Sequence, residues 1–340
     1  MARLRAAILG YGRSGEGMHA GAIEALADKF EMVAACDIDR DRLTAARKRF
    51  GCAVYEDYHR MLADERLDLV CVITRSYQHA PMTCDCLRAG VNVLVTKPWA
   101  VNQAQAETMI AAAKASGKML LPWLPARWSS DLRRLREIIA TGAVGKVFLV
   151  RRVQTCYAAR DDWQTETKYG GGYLLNWGPH LVDTAVQVVG GKVASAYGRL
   201  RHLINPGDGD DIFFAALTLA DGTIVTSEYT VSAAEMPNWL IQGDGGTIVV
   251  RGREIVVHSG PPKRPADPTK YPGMAAEGLT VTSETVGGDL FGDSAEVYRA
   301  IAAALRGERP FPVTPADALE LTRTLDAIRA ADAGNTVVRL

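Results

Sequence analysis

Two stretches of this chain carry side chains whose types and spacing suit chemistry. In the first, the apolar run Ala6-Ala7-Ile8-Leu9 enters Gly10-Tyr11-Gly12-Arg13-Ser14-Gly15, and Val33-Ala34-Ala35-Cys36-Asp37 ends in an acid twenty-two residues beyond Gly15. A strand turning through Gly-x-Gly-x-x-Gly into a helix is the physical recipe for a dinucleotide site. Gly10 permits the tight turn, Gly12 lets the backbone approach a pyrophosphate, and Gly15 lets helix and strand pack closely, while free N–H groups at the helix start face the phosphates. Tyr11, Arg13 and Ser14 ride on the same turn, and Asp37 is placed to accept hydrogen bonds from ribose hydroxyls. The second stretch is Gly170-Gly171-Gly172-Tyr173-Leu174-Leu175-Asn176-Trp177-Gly178-Pro179-His180-Leu181-Val182-Asp183. If it is helical, Asn176 and His180 share a face, which Asp183 nearly joins. Beside a catalytic role, His180 has plainer readings: a helix-face histidine satisfied by a neighbour, a metal ligand, or surface. No His-x-x-x-His or carboxylate pair completes a ligand set, so no metal is expected.

Context strengthens the dinucleotide reading. Met18, Ala22, Ile23 and Leu26 form a helical apolar stripe after the turn, and the acid closes the next strand. An acid at that position repels a 2′-phosphate, so NAD is expected rather than NADP. Arg40 and Arg42 lie near enough to weaken that preference.

The elements that must position these residues follow from the rest of the text. A chain of 340 residues is near the size at which one core stops growing, so two domains are expected. Alternating strands and helices run to about Leu124: a helix over 42–50, a nearly continuous apolar strand over 67–73, a helix over 81–89, a strand over 92–95, a helix over 101–116 and a strand over 118–121. Continuous apolar strands imply a parallel sheet covered on both faces. Ligands sit at the carboxyl ends of such strands, which draws Thr74, Arg75, His79, Lys97 and Pro98 together. Pro122-Trp123-Leu124-Pro125 marks a crossing between domains. Residues 1–124 are therefore read as a Rossmann domain, and 125–340 as an α+β domain with a large, mainly antiparallel open sheet. After a helix over 128–140, the strands are expected at 147–155, 193–203, 211–219, 224–231, 240–243, 247–250 and 254–258, with Asp221-Gly222 as a hairpin turn. Helices are expected over 291–305 and 316–331, the last folding back on the first domain. The proline-rich stretch 261–272 reads as a loop whose Lys263, Arg264 and Lys270 are solvated.

Composition excludes several classes. With 39 basic and 39 acidic residues and 48% hydrophobic content, this is an ordinary globular composition with no basic domain for nucleic acid. The six cysteines sit in apolar text and read as packing residues. No run reaches membrane-spanning length and the N-terminal apolar run is too short for a signal peptide, so a cytoplasmic location is expected.

Taken together, Gly10-x-Gly12-x-x-Gly15-x-x-x-His19, the Thr74 to His79 segment, Thr96-Lys97-Pro98-Trp99 and Gly171-Gly172-x-x-x-Asn176-x-x-x-His180-x-x-Asp183 resemble the Gfo/Idh/MocA oxidoreductases, typified by glucose-fructose oxidoreductase and inositol dehydrogenase. The resemblance covers essentially the whole chain. It implies NAD, with a sugar or cyclic polyol such as inositol lying between the nicotinamide and the second domain. The family's Glu-Lys-Pro matches Thr96-Lys97-Pro98, so the catalytic lysine carries over to Lys97 and the glutamate does not. Its Asp-x-Gly-x-His matches the stretch from Asn176 to His180, giving His180 the acid/base role and Asn176 the usual aspartate position. An amide there orients a hydroxyl but carries no charge. On this basis His180 takes the hydroxyl proton and Lys97 polarises the oxygen, with those two assignments open to exchange.

Softer expectations complete the site. Tyr11, Arg13, Arg42, Thr74 and His79 join Lys97 on the nucleotide side, and Arg127, Tyr157, Trp163 and Asp183 border the substrate. Trp99, Trp128 and Trp177 read as core or interface residues, and Glu166 and Lys168 as either a specificity loop or plain surface. The leading function is a sugar or polyol dehydrogenase. The alternatives are an NAD-retaining enzyme that oxidises a sugar transiently during elimination or glycoside cleavage, and a non-catalytic nucleotide-responsive binding protein. An uncovered face of the second sheet points to a homodimer or homotetramer.

Overall fold

The computed structural model describes residues 2–262, 264, 267–270 and 278–340. The first sheet has six parallel strands: β1 (Leu4–Leu9), β2 (Phe30–Cys36), β3 (Ala53–Tyr55), β4 (Leu69–Val72), β5 (Asn92–Val95) and β6 (Leu120–Pro122), in the spatial order β3-β2-β1-β4-β5-β6. Its central strands are buried on both faces, and all of β4 is fully inaccessible, which explains their unbroken apolar text. The connecting helices are α1 (Gly21–Ala25), α2 (Arg40–Phe50), α3 (Tyr58–Asp64), α4 (His79–Arg88) and α5 (Gln103–Ser116). Local chemistry sets their ends: the Asp39 side chain caps the Asp41 and Arg42 amides, the Asn102 side chain caps α5, and Gly51 and Gly117 leave α2 and α5 at positive φ.

The second sheet has nine strands in mixed, mainly antiparallel order. They are β7 (Val147–Cys156), β8 (Val193–Arg201), β9 (Ile212–Leu219), β10 (Ile224–Val231), β11 (Trp239–Gly243), β12 (Gly246–Arg251), β13 (Glu254–Ser259), β14 (Thr280–Thr285) and β15 (Val338–Arg339). Only the β7–β10 pairing is parallel, because the chain leaves β7 through a long helix-bearing crossover before returning beside it. Helices α6 (Ser130–Ala140), α7 (Tyr173–Gln187), α8 (Ser294–Leu305) and α9 (Pro315–Gly334) complete the chain. Helix α7 packs on β7, β9 and β10, and α9 on β8. The opposite face carries Leu149, Ile224, Phe214, Leu240, Val249 and Val256, each half-buried or exposed in the single chain, with Leu149 opposite Ile224 and with Leu240, Val249 and Val256 in one row.

The two sheets are joined by more than the crossing at residues 122–125. From α9, Thr322 accepts from Trp99 Nε1 (2.8 Å), Asp326 accepts from the Gln103 amide (2.8 Å), and Arg329 donates to the Val101 carbonyl (2.7 Å). From α8, Tyr298 is buried against His19 and Phe30, its hydroxyl 2.9 Å from His19 Nδ1. The site between the sheets is thus framed by packed helices on both sides.

Several boundaries differ from the sequence expectation. The helix anticipated from Trp128 begins at Ser130, after a 3₁₀ turn at Pro125–Trp128. The one anticipated from Phe291 begins at Ser294, because Gly292 takes φ 97° and the Asp293 side chain caps the Ala295 and Glu296 amides. Strands β3, β14 and β15, short or polar, carried no alternation to reveal them. Lys263, and with it part of the 261–272 stretch, lies outside the described residues. All six cysteines are unpaired, five of them buried. Among the described residues no helix is long and apolar enough to cross a membrane.

Candidate active site

A cleft of about 860 Å³ opens at the carboxyl ends of β1, β2, β4 and β5 and is closed from the other side by α7 and the loop after β7. On the first-domain wall the glycine turn behaves as its spacing requires. Gly10 takes φ 99°, and a Cβ there would lie 2.7 Å from the Ile73 carbonyl oxygen; a Cβ on Gly15 would collide with the Gly10 carbonyl oxygen. Gly12 faces the cleft, where a Cβ would meet only the Arg42 guanidinium at 3.4 Å. Gly10, Gly12, Arg13 and Ser14 line the cleft, whereas Gly15 and the buried Tyr11 support the turn from behind.

Asp37 ends β2 at the cleft wall, nearly buried. Its Oδ1 accepts from the Asp39 amide (3.0 Å) and lies 3.5 Å from Arg42 Nη1, and its Oδ2 has no protein partner among the described residues. The two arginines near this acid are themselves tied to acids: Arg42 also to Asp39 (3.3 Å) and Arg40 to Glu56 (2.8 Å). A bare backbone cradle beside a buried acceptor carboxylate fits a dinucleotide, which Arg13 would meet at the phosphates and Asp37 at the ribose hydroxyls. His79 lines the cleft, but its Nδ1 faces the Pro98 carbonyl (2.7 Å) and its Nε2 that of Thr74 (3.0 Å). It braces the ends of β4 and β5 rather than offering a nitrogen to a ligand.

Beyond β5, Lys97 reaches across to α7. Its Nζ donates to the Asn176 carbonyl oxygen (2.9 Å) and to Asn176 Oδ1 (2.7 Å). Burial, then the charges of Arg160 and Arg13, bring this amine down to about 7. Four residues on, His180 faces the same cleft between Trp177 and Phe291, ring centres 6.0 and 6.3 Å away, with Nδ1 buried and unpaired. Burial, with Lys97 and Arg152 adding like charge, holds its imidazole well below the ordinary value, so it is neutral near pH 7. Helix α7 presents this face because Gly172 and Asp210 fix its start: the Tyr173 amide donates to the Asp210 carbonyl and the Leu174 amide to Asp210 Oδ2, both at 2.7 Å. Gly178 lets α9 approach, since a Cβ there would sit 2.8 Å from Leu325 Cδ2.

The structure therefore gathers Lys97, Asn176, His180, Thr74 and Trp163 at one cleft and leaves other expected residues outside it. Arg127 and Asp183 form a buried two-point ion pair, 2.8 Å at each contact, linking the 3₁₀ turn to α7. With their hydrogen bonds directed at each other, they do not border the cleft. Tyr157 is 75% exposed and also lies outside it. Glu166 and Lys168 pair with each other away from the cleft. Trp99 fills the interface with α9, as expected, but Trp177 lines the cleft, stacked on Tyr229 at 5.0 Å. Sequence reasoning missed Arg160, Asp162, Gln164 and Phe291 as cleft residues. The only local signal was the charged run Arg160-Asp161-Asp162 just ahead of the glycine-rich stretch.

Comparison with known proteins fits this geometry. Residues 4–122 match the model described as "Oxidoreductase family, NAD-binding Rossmann fold", and residues 132–249 match the "GFO/IDH/MocA C-terminal domain". The chain belongs to the Gfo/Idh/MocA oxidoreductase family. It is an NAD-binding oxidoreductase by that membership, and the two matches fall on the first sheet and on the β7–β12 part of the second. Among relatives it resembles D-glucoside 3-dehydrogenase of Escherichia coli strain K12, at 31% identity over 55% of this chain and about half (54%) of that one. It also resembles scyllo-inositol 2-dehydrogenase (NADP(+)) IolW of Bacillus subtilis strain 168, at 24% identity over 95% and 92% of the two chains. Among solved structures, GenD2 from gentamicin A biosynthesis in complex with NAD superposes with a TM-score of 0.79 at 26% identity, covering 100% of this chain and 97% of that one.

Proposed function

We propose that this protein oxidises a secondary hydroxyl of a sugar or cyclic polyol with NAD, or catalyses the reverse reduction. The observation that carries this reading is the Lys97 amine held between the two oxygens of Asn176 beside a neutral His180. A neutral amine has two N–H donors and one lone pair. With both donors engaged by Asn176, the lone pair remains for a hydroxyl proton arriving from the cleft. An acceptor titrating near 7 is well matched to proton transfer at neutral pH, whereas an imidazole held far below its ordinary value is a weak base. The roles are therefore the exchanged pair: Lys97 takes the proton and His180, neutral, hydrogen-bonds the oxygen or its neighbour.

The bound nicotinamide supplies the hydride acceptor. Asn176 fixes the amine, while Trp177 and Phe291 wall the reacting carbon from water. A sugar or polyol substrate is supported by relatives that are named as glucoside and inositol dehydrogenases. Against the NADP(+) in one of those names stand the buried Asp37 carboxylate and the two arginines already tied to acids. The test is anaerobic incubation with NAD and a panel of inositols, aldoses and glycosides. Net NADH formation is expected. Product without net NADH would move the reaction to an internal redox cycle, and binding without product would refute it.

A further inference from the structure

Resting on the sugar oxidoreductase reading above, we propose that the sugar accepted here carries an anionic group, a carboxylate or a phosphate, received by Arg160 beside Lys97. Arg160 is held by one edge only. Its Nε and Nη2 donate to Asp162 Oδ2 (3.0 and 2.8 Å), Nη2 also meets Gln164 Oε1, and its backbone amide donates to Asn205 Oδ1 (2.7 Å). Nη1 has no partner among the described residues, and the side chain, 26% exposed, lines the cleft. The guanidinium is thus oriented in advance with one donor nitrogen to offer, an arrangement suited to a charge-assisted hydrogen bond.

Asp162 answers Arg160, whereas Lys97 and Arg152 form no ion pair among the described residues. Lys97 touches only the neutral oxygens of Asn176. Arg152, 6% exposed, donates to the Val153 and Asn238 carbonyls, leaves Nε unpaired, and forms no ion pair among the described residues. Of the carboxylates on this part of the cleft, Asp162 is already on Arg160, and Asp289, whose Oδ1 accepts from the Phe291 amide (2.7 Å), keeps its charge but contacts none of these cations among the described residues. Arg13 stands on the phosphate turn and belongs to the dinucleotide, whose oxidised nicotinamide brings a further positive charge. A neutral sugar would leave Arg160 Nη1 without an acceptor, and Lys97 in its protonated form without a contacting carboxylate, in a partly desolvated cleft, an unfavourable state that an anionic substituent relieves.

The experiment uses the full chain saturated with NADH. Nucleotide fluorescence is followed while matched compounds are added: glucose, glucuronate and glucose 6-phosphate, then galactose and galacturonate, then myo-inositol and its monophosphate. In at least one set the charged member should bind about 10–100-fold tighter than its neutral parent, as expected for one charge-assisted contact, and the gain should shrink in high salt. The uronate and phosphate arms tell which group is read. Arg160→Gln should remove the preference with NADH affinity unchanged, and Arg160→Lys should keep part of it. Parity between charged and neutral members in every set overturns the charge requirement while leaving the sugar reading intact. A preference that survives Arg160→Gln, or loss of NADH affinity in that variant, overturns the assignment to Arg160. Binding of neither series to a complex that holds NADH overturns the sugar reading itself and this inference with it.

Discussion

If Lys97 takes the proton, kcat/KM should fall on the acid side with an apparent pKa about 7, the value to which burial, Arg160 and Arg13 bring the amine from its ordinary 10.5. At pH 6 roughly one molecule in ten would then hold the neutral amine, and at pH 8 roughly nine in ten. A drop of that size disfavours the charged form by up to about 5 kcal/mol, less what water in the open cleft restores to a half-buried group. The same displacement has a sign in stability. The unfolded chain holds the lysine proton up to 10.5 and the folded one releases it near 7, so stability rises with pH between those values and the full penalty is present below pH 7. Lys97→Met should therefore lower kcat/KM by about 10²–10⁴-fold, abolish the acid limb, leave NAD affinity nearly unchanged, and raise the melting temperature at pH 6. The measurements are steady-state rates from pH 5 to 10 and thermal unfolding at pH 6 and 9. An acid limb that persists in Lys97→Met, or that lies near 10 in the native protein, would refute the role given to the amine.

Four further outcomes are expected. Asn176→Asp places a carboxylate at the oxygen now 2.7 Å from Lys97 Nζ, so the acid limb should move up by about 1–3 pH units; an unmoved limb in a folded variant would mean that Lys97 is not the group being titrated. Asp37→Ser should weaken NAD binding by about tenfold or more and narrow its margin over NADP, read by NADH and NADPH fluorescence titration; an unchanged margin would remove Asp37 from the ribose. His19 is buried against Trp123 and Tyr298 and is brought by burial to about 3, so its neutral form stabilises the fold above pH 6.5 and that contribution is lost as pH falls from 6.5 towards 3. A melting temperature flat across pH 6.5 to 4 would contradict that linkage. The partly apolar face that carries Leu149, Phe214 and Ile224 should pair two chains, and a monomeric mass in light scattering at micromolar concentration would count against it.

What the sequence disclosed about this site depended on how local each feature is. The glycine turn, Asp37 and five of the six parallel strands are written in short segments, because a strand buried on both faces has no polar positions and a phosphate turn needs glycines at fixed offsets. Lys97 and His180 were legible through motifs that surround them. Arg127 and Asp183 were misread because nothing in either neighbourhood shows that they pair across 56 residues of chain. Arg160 was missed for the complementary reason. Its loop is irregular and is held from a distance: Asn205 takes the Arg160 amide, Asp208 takes the Thr167 amide and hydroxyl, and Asp210 caps α7. Phe291 looked like the first residue of a helix, since only the positive φ of Gly292 and the Asp293 cap reveal that the helix starts later.

The exchange of roles proposed for Lys97 and His180 rests on one residue, Asn176. A carboxylate there would pair with the lysine ammonium and favour its charged form, removing it as a base near neutral pH. It would also answer part of the positive charge of Lys97, Arg152 and Arg160, and so ease protonation of His180. The amide does neither. Its Oδ1 accepts one hydrogen bond from the amine, beside the one taken by the backbone carbonyl, with no net charge, and burial and neighbouring cations are left to set the titration of both groups, bringing Lys97 to about 7 and holding His180 neutral. A centre of this kind has a proton acceptor at pH 7 with no carboxylate in contact with it among the described residues. Arg160, with Nη1 unpaired among the described residues, is the donor we propose for a charged substituent on the substrate. Restoring the carboxylate with Asn176→Asp should therefore move the acid limb and reduce the advantage of charged sugars together, and a variant that changed one without the other would separate two properties that the structure ties to a single side chain.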